Sequence, residues 1–216
     1  MKITHHPGLE SLMSCSAGSM PEAFAAVMAA HIATCPQCQK DLAVMEDIGV
    51  ALLDQLSPTA LSEPAPVMAF RRLEAEAAGP DTHAGSTIGD VPEVLVPVVG
   101  SYLDDIKWKK LANGITHYQI PLSKTAQGDL RLIKIAPGTA LPEHGHGGSE
   151  LTLILRGAYS DKTGTYRTGD VADLTDNIEH QPVADAHDGC ICLVATDSKL
   201  RFKTLMARMM QPLTGM

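Results

Sequence analysis

The stretch GTALPEHGHGGSELTLILRG, residues 138–157, decides the fold of the C-terminal half of this chain. His144 and His146 are two residues apart, so their imidazole rings lie on the same side of a strand. A Gly-Gly turn follows, and Glu150 then begins the returning strand, where its carboxylate can reach the same point. The spacing therefore predicts a pair of strands that brings two imidazoles and one carboxylate together.

A fourth donor lies in the stretch GDVADLTDNIEH, residues 169–180. The two stretches resemble the two cupin motifs. The first fits G-x5-H-x-H-x3-E-x6-G at every fixed position, and the second fits G-x5-P-x-G-x2-H with Thr175 and Asn177 replacing Pro and Gly. The histidine of the second motif, His180, keeps the motif's spacing from Gly169. Three imidazoles and one carboxylate inside a small barrel suit Zn, Fe, Mn or Ni, and the sequence does not choose among them. The predicted ligands are His144, His146, Glu150 and His180.

The remaining sequence divides into a helical part and a strand-rich part. Short apolar stretches separated by Gly-containing turns dominate the later half, which is typical of a barrel or sandwich. Apolar residues at helical spacing predict helices over residues 9–16, 21–34, 36–56 and 66–77. We therefore predict an α+β multidomain chain, with a small N-terminal helical zinc-binding bundle followed by a C-terminal antiparallel β-barrel of the cupin type. The predicted bounds are 1–78 for the helical domain, 79–95 for a linker and 96–206 for the cupin domain.

The helical part carries its own metal-ligand pattern, His31-x3-Cys35-Pro36-x-Cys38. With the His in the last turn of one helix and the second Cys in the first turn of the next, the three side chains converge at the corner. The positive end of the second helix also favours thiolates. A closed tetrahedral zinc site needs a fourth ligand, and His5 and His6 are the available donors. A redox C-x-x-C or ordinary core cysteines are the alternatives.

Composition limits the classes of partner. The formal net charge is −8 and aromatic residues make up 4% of the chain, which disfavours direct nucleic-acid binding and suits a basic protein partner. No membrane segment or signal peptide is evident. The five cysteines are therefore expected to be free or metal-bound in a reducing cytoplasm. We predict that Cys190 and Cys192 are small buried residues of the apolar core, with redox sensing as the alternative.

The ordered combination of H-x3-C-x2-C on a helical module and a four-ligand cupin resembles the ChrR family of transcriptional anti-sigma factors. The resemblance implies a one-to-one complex of the helical module with an extracytoplasmic-function (ECF) sigma factor. It also implies a cupin, carrying zinc, that is needed for release of that factor under singlet oxygen or related oxidants. The zinc ligands that it implies in the helical module are His6, His31, Cys35 and Cys38.

Two other functions compete with this interpretation. A cupin motif by itself favours a metal-dependent dioxygenase or isomerase with an accessory zinc module, because fold does not determine function. A zinc-finger DNA binder is opposed by the negative charge. The flexible linker further predicts that the two metal sites are independent, so that residues 1–80 hold about one zinc without the barrel.

Overall fold

The computed structural model describes residues 2–59, 89–145, 147–175 and 178–198, together with the backbone of 201–202. Three helices come first: α1 Leu9–Ser16, α2 Glu22–Ile32 and α3 Pro36–Leu53. Pro36 occupies the first turn of α3, where its missing N–H and fixed φ cost nothing. These helices confirm the first three predicted segments within a few residues, whereas the segment 66–77 lies outside the described residues.

A short connecting region leads to the barrel. It contains two 3₁₀ turns, Glu93–Leu95 and Leu103–Asp105, on either side of α4, Val96–Val99. Val91, Leu95 and Leu103 are buried in the same core as α2, so packed structure begins before residue 96, the predicted start of the cupin domain. None of the helices in the described part of the chain is long and apolar enough to cross a lipid bilayer.

The barrel consists of antiparallel strands in two sheets. The larger sheet has the order β1-β2-β3-β10-β5-β6, with β7 and β9 also paired to β5, and the smaller has the order β11-β4-β8. Together with the preceding helices, this arrangement confirms the predicted fold class. The strands are β1 Lys109–Ala112, β2 Ile115–Gln119, β3 Asp129–Ile135, β4 His144–Gly145, β5 Glu150–Asp161, β6 Gly164–Arg167, β7 Val171–Leu174, β8 Glu179–His180, β9 Val183–Ala184, β10 Cys190–Thr196 and β11 Arg201–Phe202.

Gly157, the last fixed position of the first motif, explains one constraint on this sheet. Its φ is +77°, and a Cβ there would clash with the carbonyl group of Gly189 on the way into β10. Glycine is therefore required for β5 and β10 to stay paired at this point.

The three central strands of the larger sheet, β3, β10 and β5, are buried on both faces. Alternate residues of β3, β5 and β10 point in opposite directions, as in any strand. One set packs inside the barrel, and its members include Ile133, Ile135, Ile154, Cys190 and Cys192. The other set packs against the helices, and its members include Leu130, Leu132, Leu151, Leu153 and Leu193.

Helix α2 covers the outer face of the sheet. Val27 and Met28 have no exposed surface and belong to the same cluster of buried residues as the strand leucines. The helices and the barrel thus share one hydrophobic core. The helical part and the barrel are therefore in contact, and the independence of the two predicted metal sites stays a prediction.

Candidate metal centres and relatives of the chain

The first candidate metal centre lies at the corner between α2 and α3. His31 is in the last turn of α2, Cys35 immediately precedes α3, and Cys38 is in its first turn. All three side chains are buried, with at most 1% of the residue surface exposed. His6 reaches the corner from the chain segment before α1. The ligand atoms of these four residues all lie within 4.8 Å of one another.

The nitrogen and sulfur atoms at this corner face each other directly. His31 Nε2 lies 3.2 Å from the sulfur of Cys38, and His6 Nδ1 lies 3.3 Å and 3.4 Å from the sulfurs of Cys35 and Cys38. A tetrahedral zinc ion with its usual bond lengths separates nitrogen and sulfur ligands by about 3.6 Å. The four donors therefore fit a His2Cys2 zinc site.

Electrostatics at the corner also suit a cation. His31 Nδ1 lies 3.0 Å from the carbonyl oxygen of Gly169, which can only accept, so Nδ1 carries the proton and Nε2 offers a lone pair. Burial lowers the pKa of His31 and keeps the ring neutral, as a metal ligand must be. Burial, with the adjacent Cys35 thiol, raises the pKa of Cys38 to about 12. A thiol in this environment becomes a thiolate when a cation compensates its charge.

The two adjacent histidines near the start of the chain have different surroundings. His6 points to the two sulfurs, whereas His5 Nδ1 lies 3.2 Å from a carboxylate oxygen of Asp170 and its ring lies 4.5 Å from that of Tyr166. The residue spacing left both histidines open as the fourth ligand. The geometry favours His6, in agreement with the resemblance to the ChrR family.

The second candidate centre lies in the barrel. His144 and His180 are directly opposite each other on β4 and β8, and their Nε2 atoms are 3.1 Å apart. Glu150 begins β5 as the sequence predicts, is buried, and accepts a hydrogen bond of 2.9 Å from the Thr152 hydroxyl. His146 lies outside the described residues, as does Asn177 of the second motif.

The outer hydrogen bonds of the two barrel histidines orient their rings. His144 Nδ1 lies 2.8 Å from the carbonyl oxygen of Pro142, and His180 Nδ1 lies 2.7 Å from Asp161 Oδ2. With the proton on Nδ1, Nε2 is the ring nitrogen that can bind a metal. The distance of 3.1 Å between the two Nε2 atoms is compatible with two ligands of one cation.

Asp161 is a functional residue that the motif search did not find. Its carboxylate and the His180 side chain are both at most 1% exposed. Burial would raise the pKa of this carboxyl, but hydrogen bonds from His180 and Thr163 outweigh burial and lower the pKa to about 2. Asp161 is therefore ionised at neutral pH and fixes the orientation of the His180 ring. The Asp-x-Thr-Gly turn at the end of β5 was the available sequence signal.

Tyr159 lies in the same interior. Its hydroxyl group is buried and has no hydrogen-bond partner among the described residues. Burial, followed by the charges of Glu150 and Asp161, raises the pKa of Tyr159. The hydroxyl is therefore a proton donor at neutral pH and adds to the polar lining of a mostly apolar barrel. Cys190 and Cys192 are free and buried on β10, as predicted, and their role stays a prediction.

Comparison with known proteins identifies relatives of this chain. A family described as the ChrR cupin-like domain matches residues 99–199. The anti-sigma-E factor ChrR of Cereibacter sphaeroides is 35% identical over 212 residues, which are 98% of each chain. The crystal structure of Rhodobacter sphaeroides SigE in complex with the anti-sigma ChrR contains a chain with 33% identity. The match covers 91% of this chain and 100% of that one, with a TM-score of 0.78.

The full-length relative is a regulator, not an enzyme, and its match extends through the helical part as well as the barrel. Full-length coverage confirms the expectation of a non-enzymatic function over the dioxygenase or isomerase alternative. The chain therefore belongs to the ChrR family of anti-sigma factors.

Proposed function

We propose that this chain binds an ECF sigma factor one-to-one and inhibits it, using the helical module as the docking surface. The observation that carries the proposal is the 35% identity, over 98% of this chain, to an anti-sigma-E factor. The net charge of −8 adds to it, because an acidic protein can cover a basic surface that otherwise meets DNA. An inhibitor must meet the sigma factor before RNA polymerase does, so the proposed site of action is the cytoplasm.

The docking surface that we propose is the second half of α3 together with Leu56 in the turn that follows it. Every residue from Glu46 to Leu53 is exposed, although the apolar stripe that begins with half-buried Leu42 and Met45 continues through it. Exposed apolar groups of this size mark interaction sites in soluble proteins. The exposed fractions are 57% for Ile48, 60% for Leu52, 66% for Leu53 and 67% for Leu56.

We propose zinc at the helical corner, bound by His6, His31, Cys35 and Cys38. The metal would fix the angle between α2 and α3, and so would orient the docking surface. The four donors and their mutual distances support this assignment. The division of the chain at a linker, residues 79–95, stays a prediction.

We further propose that the barrel binds a second metal through His144, His146, Glu150 and His180 and that this centre is needed for release of the sigma factor under oxidants such as singlet oxygen. Zinc is the metal that we expect, with Fe, Mn and Ni as alternatives. The proximity of the Nε2 atoms of His144 and His180 supports a cation there.

Co-expression with an ECF sigma factor of the same organism tests the main proposal. We expect a one-to-one complex in size-exclusion chromatography with light scattering. The double variant Leu52→Glu, Leu56→Glu should weaken the complex at least tenfold, since it places two charges in an apolar contact. Val183→Glu is the matched control, because Val183 is 40% exposed on the barrel strand β9. Failure of the wild-type chain to form the complex would refute the proposal.

Oxidant release is tested separately. His144→Ala and Glu150→Ala should leave inhibition of the sigma factor in place and reduce its release when singlet oxygen is generated. Sigma activity that is high in these variants without oxidant would show that the barrel is part of the clamp and would refute a purely sensory role.

A further inference from the structure

The barrel interior contains a hydroxyl group that the two cupin motifs do not account for. Tyr159 is only 3% exposed, and its hydroxyl oxygen has no hydrogen-bond partner among the residues that the structure describes. A buried hydroxyl without a partner costs free energy, because it has given up its hydrogen bonds to water. Such groups are rare in folded proteins, and a bound ligand that accepts from the hydroxyl is one reason for keeping one.

Strand β5 places this hydroxyl beside the candidate metal centre of the barrel. Tyr159 belongs to the cluster of buried residues inside the barrel. It lies two residues before Asp161, which contacts His180, so Tyr159 and Asp161 share one face of the strand. The hydroxyl is also close enough to Glu150 and Asp161 for their charges, together with burial, to raise the pKa of Tyr159. The group therefore keeps its proton and can donate it in a hydrogen bond near the metal ligands.

A second tyrosine holds the ring of Tyr159 in place. Tyr166 on β6 lies directly opposite Tyr159, and the two rings are stacked with their centroids 5.0 Å apart and an angle of 30° between their planes. The Tyr166 hydroxyl has a partner, Thr163 Oγ1 at 3.1 Å. Only the Tyr159 hydroxyl of this pair lacks one in the described part of the chain. A donor on a fixed ring is oriented before a ligand arrives, which lowers the cost of binding.

The charge and size of this interior restrict the ligand. Glu150 is the only negatively charged group among the four proposed metal ligands, so a divalent cation would keep one positive charge within its shell. A monoanion would neutralise that charge. The ligand must also be small, because the surrounding barrel core is tightly filled with apolar side chains. These side chains include Ile133, Ile154 and Leu174.

We propose that the barrel is a binding site for a small monoanion, which would bind the metal at one end and accept a hydrogen bond from the Tyr159 hydroxyl at the other. The inference rests on the proposed barrel metal and goes beyond it, because it assigns a class of ligand and the residue that recognises it. Small carboxylates and other anions of a few atoms with oxygen or nitrogen donors belong to this class. The hydrogen bond is strong because it lies in a low-dielectric interior and its acceptor is charged.

The test uses the full chain loaded with Co²⁺, whose visible absorption changes with its ligands, and azide as the probe monoanion. The wild type should show an absorption change that saturates with azide. Tyr159→Phe removes only the hydroxyl, and azide affinity should fall by about 10–100-fold, as expected for one hydrogen bond to a charged group. Tyr166→Phe is the matched control, because it removes the other hydroxyl of the same stacked pair, and it should bind azide as the wild type does. His144→Ala should abolish the azide response, which assigns that response to the barrel and not to the cysteine corner.

Thermal unfolding without azide separates a binding role from a structural one. Tyr159→Phe should melt at or above the wild-type temperature, because it removes a hydroxyl with no partner in the described chain, whereas Tyr166→Phe loses its bond to Thr163 and should melt lower. Unchanged azide affinity in Tyr159→Phe would overturn the proposal, and so would a wild-type barrel that holds Co²⁺ but does not respond to azide. A barrel that binds no metal, as measured by metal analysis, would refute the proposed barrel metal and this inference with it.

Discussion

The two candidate metal centres are supported in opposite ways. In the barrel, His144 and His180 lie on paired strands, and their outer hydrogen bonds go to Pro142 and Asp161 of the same barrel. At the helical corner, the outer bonds come from another part of the fold, since Gly169 orients His31. The outer hydrogen bonds of the barrel histidines are therefore local to the barrel, whereas that of His31 reaches from the helical corner to the barrel.

The largest effect should come from removing the thiols. In Cys35→Ser, Cys38→Ser, the helical centre loses two of its four ligands, and structural zinc sites of this kind contribute about 10 kcal/mol or more of binding free energy. Metal analysis should show one zinc fewer per chain, and binding of the sigma factor should be lost. Cys15→Ser is the control, because Cys15 lies on α1 outside the cluster. Undiminished sigma binding by the double variant would mean that the zinc has no structural role in docking.

Breaking the shared core is the next largest change. Met28 lies on α2 and is fully buried against the sheet. Met28→Ala should therefore lower the free energy of unfolding by about 2–5 kcal/mol. Calorimetry should show one cooperative transition at a lower temperature, since the helices and the barrel share that core. Met13→Ala provides the comparison, because Met13 is 55% exposed, and should leave the transition almost unchanged. Two separate transitions would contradict the shared core.

Asp161→Asn should act on the barrel centre alone. It removes the carboxylate that orients His180, and metal affinity there should fall by about 10–100-fold. The cysteine corner should keep its zinc in the same titration, because Asp161 contacts His180 and none of the residues of that corner. Asp188→Asn, at an exposed barrel turn, serves as the control. Loss of zinc from both centres would mean that the two centres are coupled.

The smallest effect concerns a surface contact between the connecting region and β5. Arg156 pairs with Asp104 at 2.8 Å and also with Asp90, and the hydrogen bond from Arg156 lowers the pKa of Asp104. A lowered carboxyl pKa stabilises the fold above the pKa of the unfolded chain, and this stabilisation is lost as the pH falls through the folded value. Asp104→Asn should therefore lower the melting temperature by about 1–3 °C at pH 7.

The difference between the variant and the wild type should be smaller at pH 3 than at pH 7, because the stabilisation is lost as the pH falls through the lowered pKa of folded Asp104. Asp105→Asn offers a neighbouring exposed carboxylate as the control. An equal loss at both pH values would show that the effect comes from local backbone structure and not from charge.

Local spacing was enough to predict that His31, Cys35 and Cys38 meet at one helical corner. The proximity of His144 and His180 in the barrel was predicted from the resemblance to the cupin motifs. The contact of Asp170 with Thr4 and His5 could not be predicted in this way, because these residues are remote in sequence. They meet only through the packing of α2 on the sheet. The choice between His5 and His6 depended on the same packing.

One sequence signal for that packing was present. The runs Leu151–Leu155 and Ile191–Ala195 are almost continuously apolar, whereas a barrel with a solvated outer surface alternates apolar and polar residues. Continuous runs indicate strands that are covered on both faces. They predict that another part of the chain packs on the outer face of the barrel. The N-terminal helices are the part that does so.

The separation of Thr4 and Asp170 along the chain, 166 residues, has a consequence for biosynthesis. The ribosome makes residues 4–8, Cys35 and Cys38 long before it makes Asp170. The hydrogen bonds between residues 4–8 and the barrel can therefore form only late in synthesis. A chain cut short before the barrel would contain the three helices and both cysteines without the carboxylates that bind residues 4–8. His6 would then lie on a segment that lacks those hydrogen bonds.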